Sequence, residues 1–140
     1  MEEVIKGAVS KFGKEAQKIV IIEECSELAK EICKYLRGKG DKSHLEEEIA
    51  DVEIMAMQAE IIYGVKTVKL ENHCCSMKEV LSELAVFSLR VSANMKVTGE
   101  CIGDLLNSIE WLKNRLVLTC GVIEQKAYKI GRLSNLINQS

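Results

Sequence analysis

The chain runs for 140 residues without a proline. Proline interrupts helices and central strands alike, because it lacks the backbone N–H and its ring clashes with the preceding turn. Without it, glycine is the only strong break left in the pattern. Glycines stand at Gly38 and Gly40 within Arg37-Gly38-Lys39-Gly40-Asp41, at Gly64, at Gly99 and Gly103, and at Gly121. The segments between them are long enough for helices. Aromatic residues make up only 4% of the chain, and the abundance of Leu, Ile, Glu, Lys and Ala favours helix over strand. The expectation is an all-α helical bundle. A first helix is expected over Val4–Phe12. A second, Lys14–Leu36, carries Ile21, Leu28, Ile32 and Tyr35 at helical spacing. Ser43 precedes Glu46 by three residues, which predicts a capping box opening a helix over His44–Tyr63. Leu45, Ile49, Val52, Met55 and Ile62 repeat along one face of it.

Nineteen basic residues against 21 acidic ones leave a net charge of -2, which argues against a nucleic-acid partner. No apolar run approaches the roughly 18 residues of a membrane span. The start, Met1-Glu2-Glu3, is acidic where a secretory signal would be basic. The expected compartment is the cytoplasm, with no membrane partner. The six cysteines, Cys25, Cys33, Cys74, Cys75, Cys101 and Cys120, include no CxxC pair, and His44 and His73 are far apart. That spacing does not read as zinc. In a reducing compartment the thiols read as small buried apolar residues, with Cys74-Cys75 a linker feature.

The two halves resemble each other. Ser26-Glu27-Leu28-Ala29 recurs as Ser82-Glu83-Leu84-Ala85 at an offset of 56, and Gly64-Val65 recurs as Gly121-Val122 at an offset of 57. Val52-Glu53-Ile54-Met55 matches Ile109-Glu110-Trp111-Leu112 in character. This predicts two tandem helix-loop-helix units, 1–70 and 71–140, joined near residues 70–77 and packed as a single compact domain in the manner of a four-helix bundle.

The acidic residues are concentrated in the first unit. Glu23, Glu24 and Glu27 fall within one turn, and Glu48 and Asp51 lie one turn apart on the next helix. Residues three or four apart share a helical face, so antiparallel packing of the two helices would bring Glu24, Glu27, Glu48 and Asp51 to one depth. Each cluster alone reads most simply as a solvated face. Here, however, Glu24, Glu27 and Glu31 border the apolar stripe, and Glu48 and Asp51 flank Ile49, Ala50 and Val52. Converging carboxylates repel one another and call for cations. Oxygen donors without thiolate or imidazole suit Mg²⁺, or Mn²⁺, rather than zinc.

Glu23-Glu24-x-x-Glu27, a 20-residue gap and Glu48-x-x-Asp51 resemble the EExxE...ExxD pattern of the MazG-like nucleotide pyrophosphohydrolases, in the all-α superfamily that also holds dimeric dUTPases. The likeness covers residues 12–64, including Tyr35-Leu36-Arg37-Gly38-Lys39-Gly40 and Glu47-Glu48-Ile49-Ala50-Asp51-Val52, and Tyr128-Lys129-Ile130-Gly131-Arg132-Leu133 is similar to the family's closing helix. The resemblance implies hydrolysis of a nucleoside triphosphate, (d)NTP, to (d)NMP and pyrophosphate. It implies Mg²⁺ on Glu24, Glu27, Glu48 and Asp51, with Glu23 orienting a ligand or the attacking water, and a homodimer. Arg37, Lys39 and Lys42 are candidates for outer phosphate contacts. In the second unit Glu79 and Glu83 stand opposite Glu23 and Glu27, but Val80, Leu105 and Ser108 stand opposite Glu24, Glu48 and Asp51. That unit is therefore expected to be degenerate and to hold no metal, with Trp111 and Phe87 as candidates to stack on a base. Alternatives are dUTPase-like or phosphoribosyl-ATP pyrophosphohydrolase activity, or a non-catalytic helical interaction module.

Overall fold

The first break in the chain falls at Gly13, whose φ of 89° and ψ of 153° define a conformation open to glycine almost alone. It separates α1 (Glu2–Phe12) from α2 (Lys14–Leu36). The computed structural model describes residues 1–69, 71 and 76–139, and within them four further helices follow: α3 (Lys42–Tyr63), α4 (Met77–Ser92), α5 (Gly99–Leu116) and α6 (Thr119–Asn138). The protein is an all-α helical bundle, as its periodicity predicts. Most of the proposed join between units, with His73, Cys74 and Cys75, lies outside the described residues.

Helix α3 is the centre of the molecule. It packs against α2 and α6 most extensively, and also against α1 and α5. The α2–α3 hairpin lies beside the α4–α5 hairpin through α2 and α4, and α1 and α6 lie together against α3. Ten α3 residues are buried, among them Leu45, Ile49, Val52, Met55 and Ile62 of the predicted stripe. They meet Ile21, Leu28 and Ile32 of α2 and Leu84, Phe87, Ile102, Leu105 and Ile109 of the second hairpin in one core. A helix enclosed on so many sides has little solvent to offer its polar residues, so each must find a partner or remain desolvated.

Several local expectations are corrected. Helix α3 opens at Lys42, and its N-cap is Asp41 rather than Ser43. The Asp41 carboxylate accepts from both the Ser43 backbone N–H and the Ser43 hydroxyl at 2.8 Å, so Ser43 supplies donors and Asp41 makes the cap. Gly99, Gly103 and Gly121 lie inside helices instead of between them. At Gly99 the Lys66 carbonyl, and at Gly121 the Glu46 carboxyl, occupies the space a Cβ would need. These glycines serve close approach, which looks the same in sequence as a turn. Of the described cysteines only Cys25 is buried, while Cys33 and Cys120 face outward from amphipathic helices. Phe87 is a core residue at 2% exposure, so it offers no face to a base. Trp111 is half-buried against the same core.

An ion-pair network ties the three helices behind the core. Lys113 of α5 sits 2.6 Å from Glu53 of α3 and 3.0 Å from Glu110, and Lys126 of α6 sits 2.9 Å from the other Glu53 oxygen. Burial pulls the Lys113 pKa down, but hydrogen bonds to Glu53 and Glu110 outweigh it, and the net shift is upward.

Candidate metal centre

On α2, Glu24 falls between Ile21 and Leu28 on the edge of the buried stripe. On α3, Glu48 and Asp51 sit among Ile49, Ala50 and Val52, all fully buried. When the two stripes close on each other, the three acids are carried inward. One carboxylate oxygen from each of Glu24, Glu48 and Asp51 lies within 4.8 Å of the others, and all three side chains are half-buried. Among the described residues this is the only such grouping of acidic, histidine or cysteine ligands.

Two of these carboxyls are strongly perturbed. Glu24 is pushed up to about 8, first by burial, then by the charge of Asp51, a hydrogen bond to Asp51 and the charge of Glu48, against a smaller pull from Lys129. Glu48 is pushed up to about 7 by burial and then by Asp51, with Lys129 again opposing and Glu27 and Glu47 adding to the rise. Buried like charges favour protonation, and a divalent ion relieves the same cost by replacing the protons. Next door, burial and then the Glu24 charge push the Cys25 thiol up to about 12, which leaves it inert as a nucleophile.

The other predicted site residues take different positions. Glu27 is exposed, outside the three-carboxylate group, but its charge is felt at Glu48. Glu23 is also exposed, next to Glu24. Arg37, Lys39 and Lys42 are exposed on and beside the α2–α3 turn, and among the described residues none of them forms a salt bridge to the cluster. The cation that reaches the cluster is Lys129 of α6. Its Nζ stands 3.0 Å from Asp51 Oδ1 and 3.7 Å from Glu47 Oε1, with the side chain only 16% exposed. Sequence reasoning missed this role, since Lys129 lies 78 residues beyond Asp51. The available cue was the spacing of Lys126 and Lys129, one turn apart on the same face as buried Val122.

Five buried side-chain oxygens lack a hydrogen-bond partner among the described residues: Gln17 Oε1, Glu24 Oε2, Glu31 Oε2, Gln58 Oε1 and Tyr63 OH. All lie on α2 or α3. Gln17, Glu24 and Glu31 are seven residues apart on α2, and seven residues make two helical turns. Helix α2 therefore carries a stripe of acceptors short of donors, a chemistry that cations, water or ligand N–H groups satisfy.

In the second hairpin, Val80, Leu105 and Ser108 are the residues that the sequence comparison sets opposite Glu24, Glu48 and Asp51. Val80 and Leu105 are fully buried, and Ser108, 1% exposed, donates to the Leu105 carbonyl at 2.7 Å. Glu83 is raised by burial, then by Asp104 and Glu79. A cavity of about 430 Å³, lined by Ile5, Met57, Glu60 and Lys66, lies toward the far end of α3 from the carboxylates. Another of about 420 Å³, lined by Cys25, Ser26, Ala29 and Ala85, runs between α2 and α4.

No helix among the described residues is long and apolar enough to cross a membrane. No protein-family model matches the chain, and neither a curated protein nor a solved structure matches it.

Proposed function

We propose that this protein is a Mg²⁺-dependent nucleotide pyrophosphohydrolase that converts a (d)NTP and water to (d)NMP and pyrophosphate. The observation that carries the reading is the convergence of Glu24, Glu48 and Asp51, three of the acids in the EExxE...ExxD pattern, within 4.8 Å at half-buried positions. The group fits a divalent cation on its own evidence. All donors are carboxylate oxygens, Glu24 Oε2 is buried without a partner, and Glu24 and Glu48 hold protons near neutrality that a cation would replace. Histidine and thiolate are missing from the set, which favours Mg²⁺ or Mn²⁺ over zinc.

In this reading Glu24, Glu48 and Asp51 hold the ion, and Glu27 at the exposed rim is the fourth carboxylate. Bound Mg²⁺ supplies charge neutralisation for the phosphates and a lowered pKa for attacking water. Exposed Glu23 orients that water. The water oxygen bonds to the α-phosphorus, the bond to the α–β bridging oxygen breaks, and pyrophosphate leaves. Arg37, Lys39 and Lys42 meet the outer phosphates from the α2–α3 turn. The α4–α5 hairpin, read as a degenerate copy, supplies packing; the burial of Val80, Leu105 and Ser108 supports that assignment. We propose cytoplasmic action as a homodimer, for which sedimentation equilibrium is the check.

The test is pyrophosphate release from a panel of nucleoside triphosphates, dUTP and phosphoribosyl-ATP included, with and without Mg²⁺. Turnover that needs Mg²⁺ and is lost in Asp51→Asn supports the reading, and the panel identifies the base. No turnover on any nucleotide, with no metal effect on stability, would favour a helical interaction module instead.

A further inference from the structure

The cluster is not left without a cation: Lys129 reaches into it from α6. Its ammonium, 3.0 Å from Asp51 Oδ1 and 3.7 Å from Glu47 Oε1, is only 16% exposed. One turn earlier on α6, Lys126 is held by Glu53 at 2.9 Å, so the backbone that carries Lys129 is fixed to α3 while four rotatable side-chain bonds leave its ammonium free to swing. Gly121, at the start of α6, lets the Glu46 carboxyl approach the helix where a side chain would block it. α6 thus lies directly against α3 at Gly121 and is held to it at Lys126, one turn before Lys129.

We propose that Lys129 is a tethered stand-in cation that occupies the carboxylate site in the metal-free protein and must be displaced when a divalent ion binds. Asp51 cannot keep its close ion pair and also serve the ion fully, and an ammonium left a few ångströms from a divalent ion is repelled. The device keeps the acidic core neutralised when metal is absent, and it weakens metal binding until another anion takes up the displaced ammonium. A triphosphate is such an anion, so metal and nucleotide bind with positive coupling, and each raises the other's affinity.

This inference rests on the metal reading of the same cluster, but its test uses no nucleotide and no turnover. Mn²⁺ alone is titrated calorimetrically into full-length wild type, Lys129→Gln, Lys129→Arg and Lys126→Gln, each first checked for a cooperative thermal transition. Lys129→Gln should bind Mn²⁺ about tenfold tighter than wild type, the size of a water-screened repulsion between a monovalent and a divalent cation at close range. Lys129→Arg keeps the charge and should stay within about twofold of wild type. Lys126→Gln, which breaks a neighbouring ion pair on the same helix, should not tighten binding. Unchanged or weaker Mn²⁺ binding in Lys129→Gln overturns the proposal, as does equal tightening in Lys126→Gln or absence of Mn²⁺ binding in every variant. Tighter binding in Lys129→Gln by a chain that hydrolyses no nucleotide would leave this inference standing and remove the hydrolase reading. Turnover together with an unchanged Lys129→Gln would do the reverse.

Discussion

At Glu24 three influences act on one carboxyl. Burial, the Asp51 and Glu48 charges and a hydrogen bond to Asp51 hold its proton, against a smaller pull from Lys129. The folded-state values of about 8 for Glu24 and about 7 for Glu48 both lie above the ordinary 4.5. The folded state therefore binds these protons more tightly than the unfolded chain does. Stability from this source is complete below about pH 4.5 and is lost as pH rises through 7 to 8. Urea unfolding of the metal-free protein from pH 5 to 8 should show that decline, with a shallower slope in Glu24→Gln; equal slopes would contradict it. The amide keeps the shape of Glu24 and removes the charge, so Glu24→Gln should also leave metal-free thermal stability at pH 8 equal to or above wild type, while abolishing the rise that Mn²⁺ gives the parent. These three acids were legible in sequence because each lies three or four positions from a residue of a strictly periodic apolar stripe. Lys129 was not, since its partner is set by how α6 lies on α3. Local spacing does not encode that.

Each helix boundary has its own chemistry, and one of them is strained. The α5–α6 turn puts Val117 at φ 57°, ψ 55°, a left-handed conformation, with its side chain 85% exposed. A β-branched residue there costs about 1–2 kcal/mol and gains no packing in return. Val117→Gly should stabilise the protein by about 1 kcal/mol in urea unfolding; destabilisation would mean that the turn takes another conformation. The Glu53 network makes the opposite case. Both Lys113 and Glu53 are nearly buried, and removing the ammonium leaves a carboxylate with Lys126 as its remaining close partner. Lys113→Met should cost about 2–4 kcal/mol by the same measurement. The sequence pattern located α1, α2 and α3, including the Phe12–Lys14 break and the ends of α2 and α3, whereas the second half was expected to be helical only from its likeness to the first. Boundaries failed where a residue had two uses: Asp41 outcompeted Ser43 as a cap, and Gly99 and Gly121 make room for neighbours instead of ending helices.

For the molecule as a whole, charge is distributed according to the role proposed for each half. Residues 1–70 carry 14 of the 21 acids, and among the described residues the cluster and the unpartnered buried side-chain oxygens all belong to the α2–α3 hairpin. In the α4–α5 hairpin, the residues that the sequence comparison sets opposite Glu24, Glu48 and Asp51 are buried Val80, Leu105 and Ser108, whose hydroxyl is satisfied within its own helix. Central burial of α3 connects the two facts, because the helix that organises the core also desolvates Glu48 and Asp51. An exposed acidic face would not have acquired the raised pKa values, whose first cause is burial. In the proposed function this desolvated cluster binds a divalent ion in order to hydrolyse a nucleotide. Pyrophosphate release from nucleoside triphosphates, measured with and without Mg²⁺ for the parent and for Asp51→Asn, tests it most directly. Mg²⁺-dependent release is expected from the parent, with a loss of at least about a hundredfold in Asp51→Asn, in keeping with the several kcal/mol a catalytic metal contributes. Release that is indifferent to Mg²⁺, or that is equal in parent and variant, would contradict it.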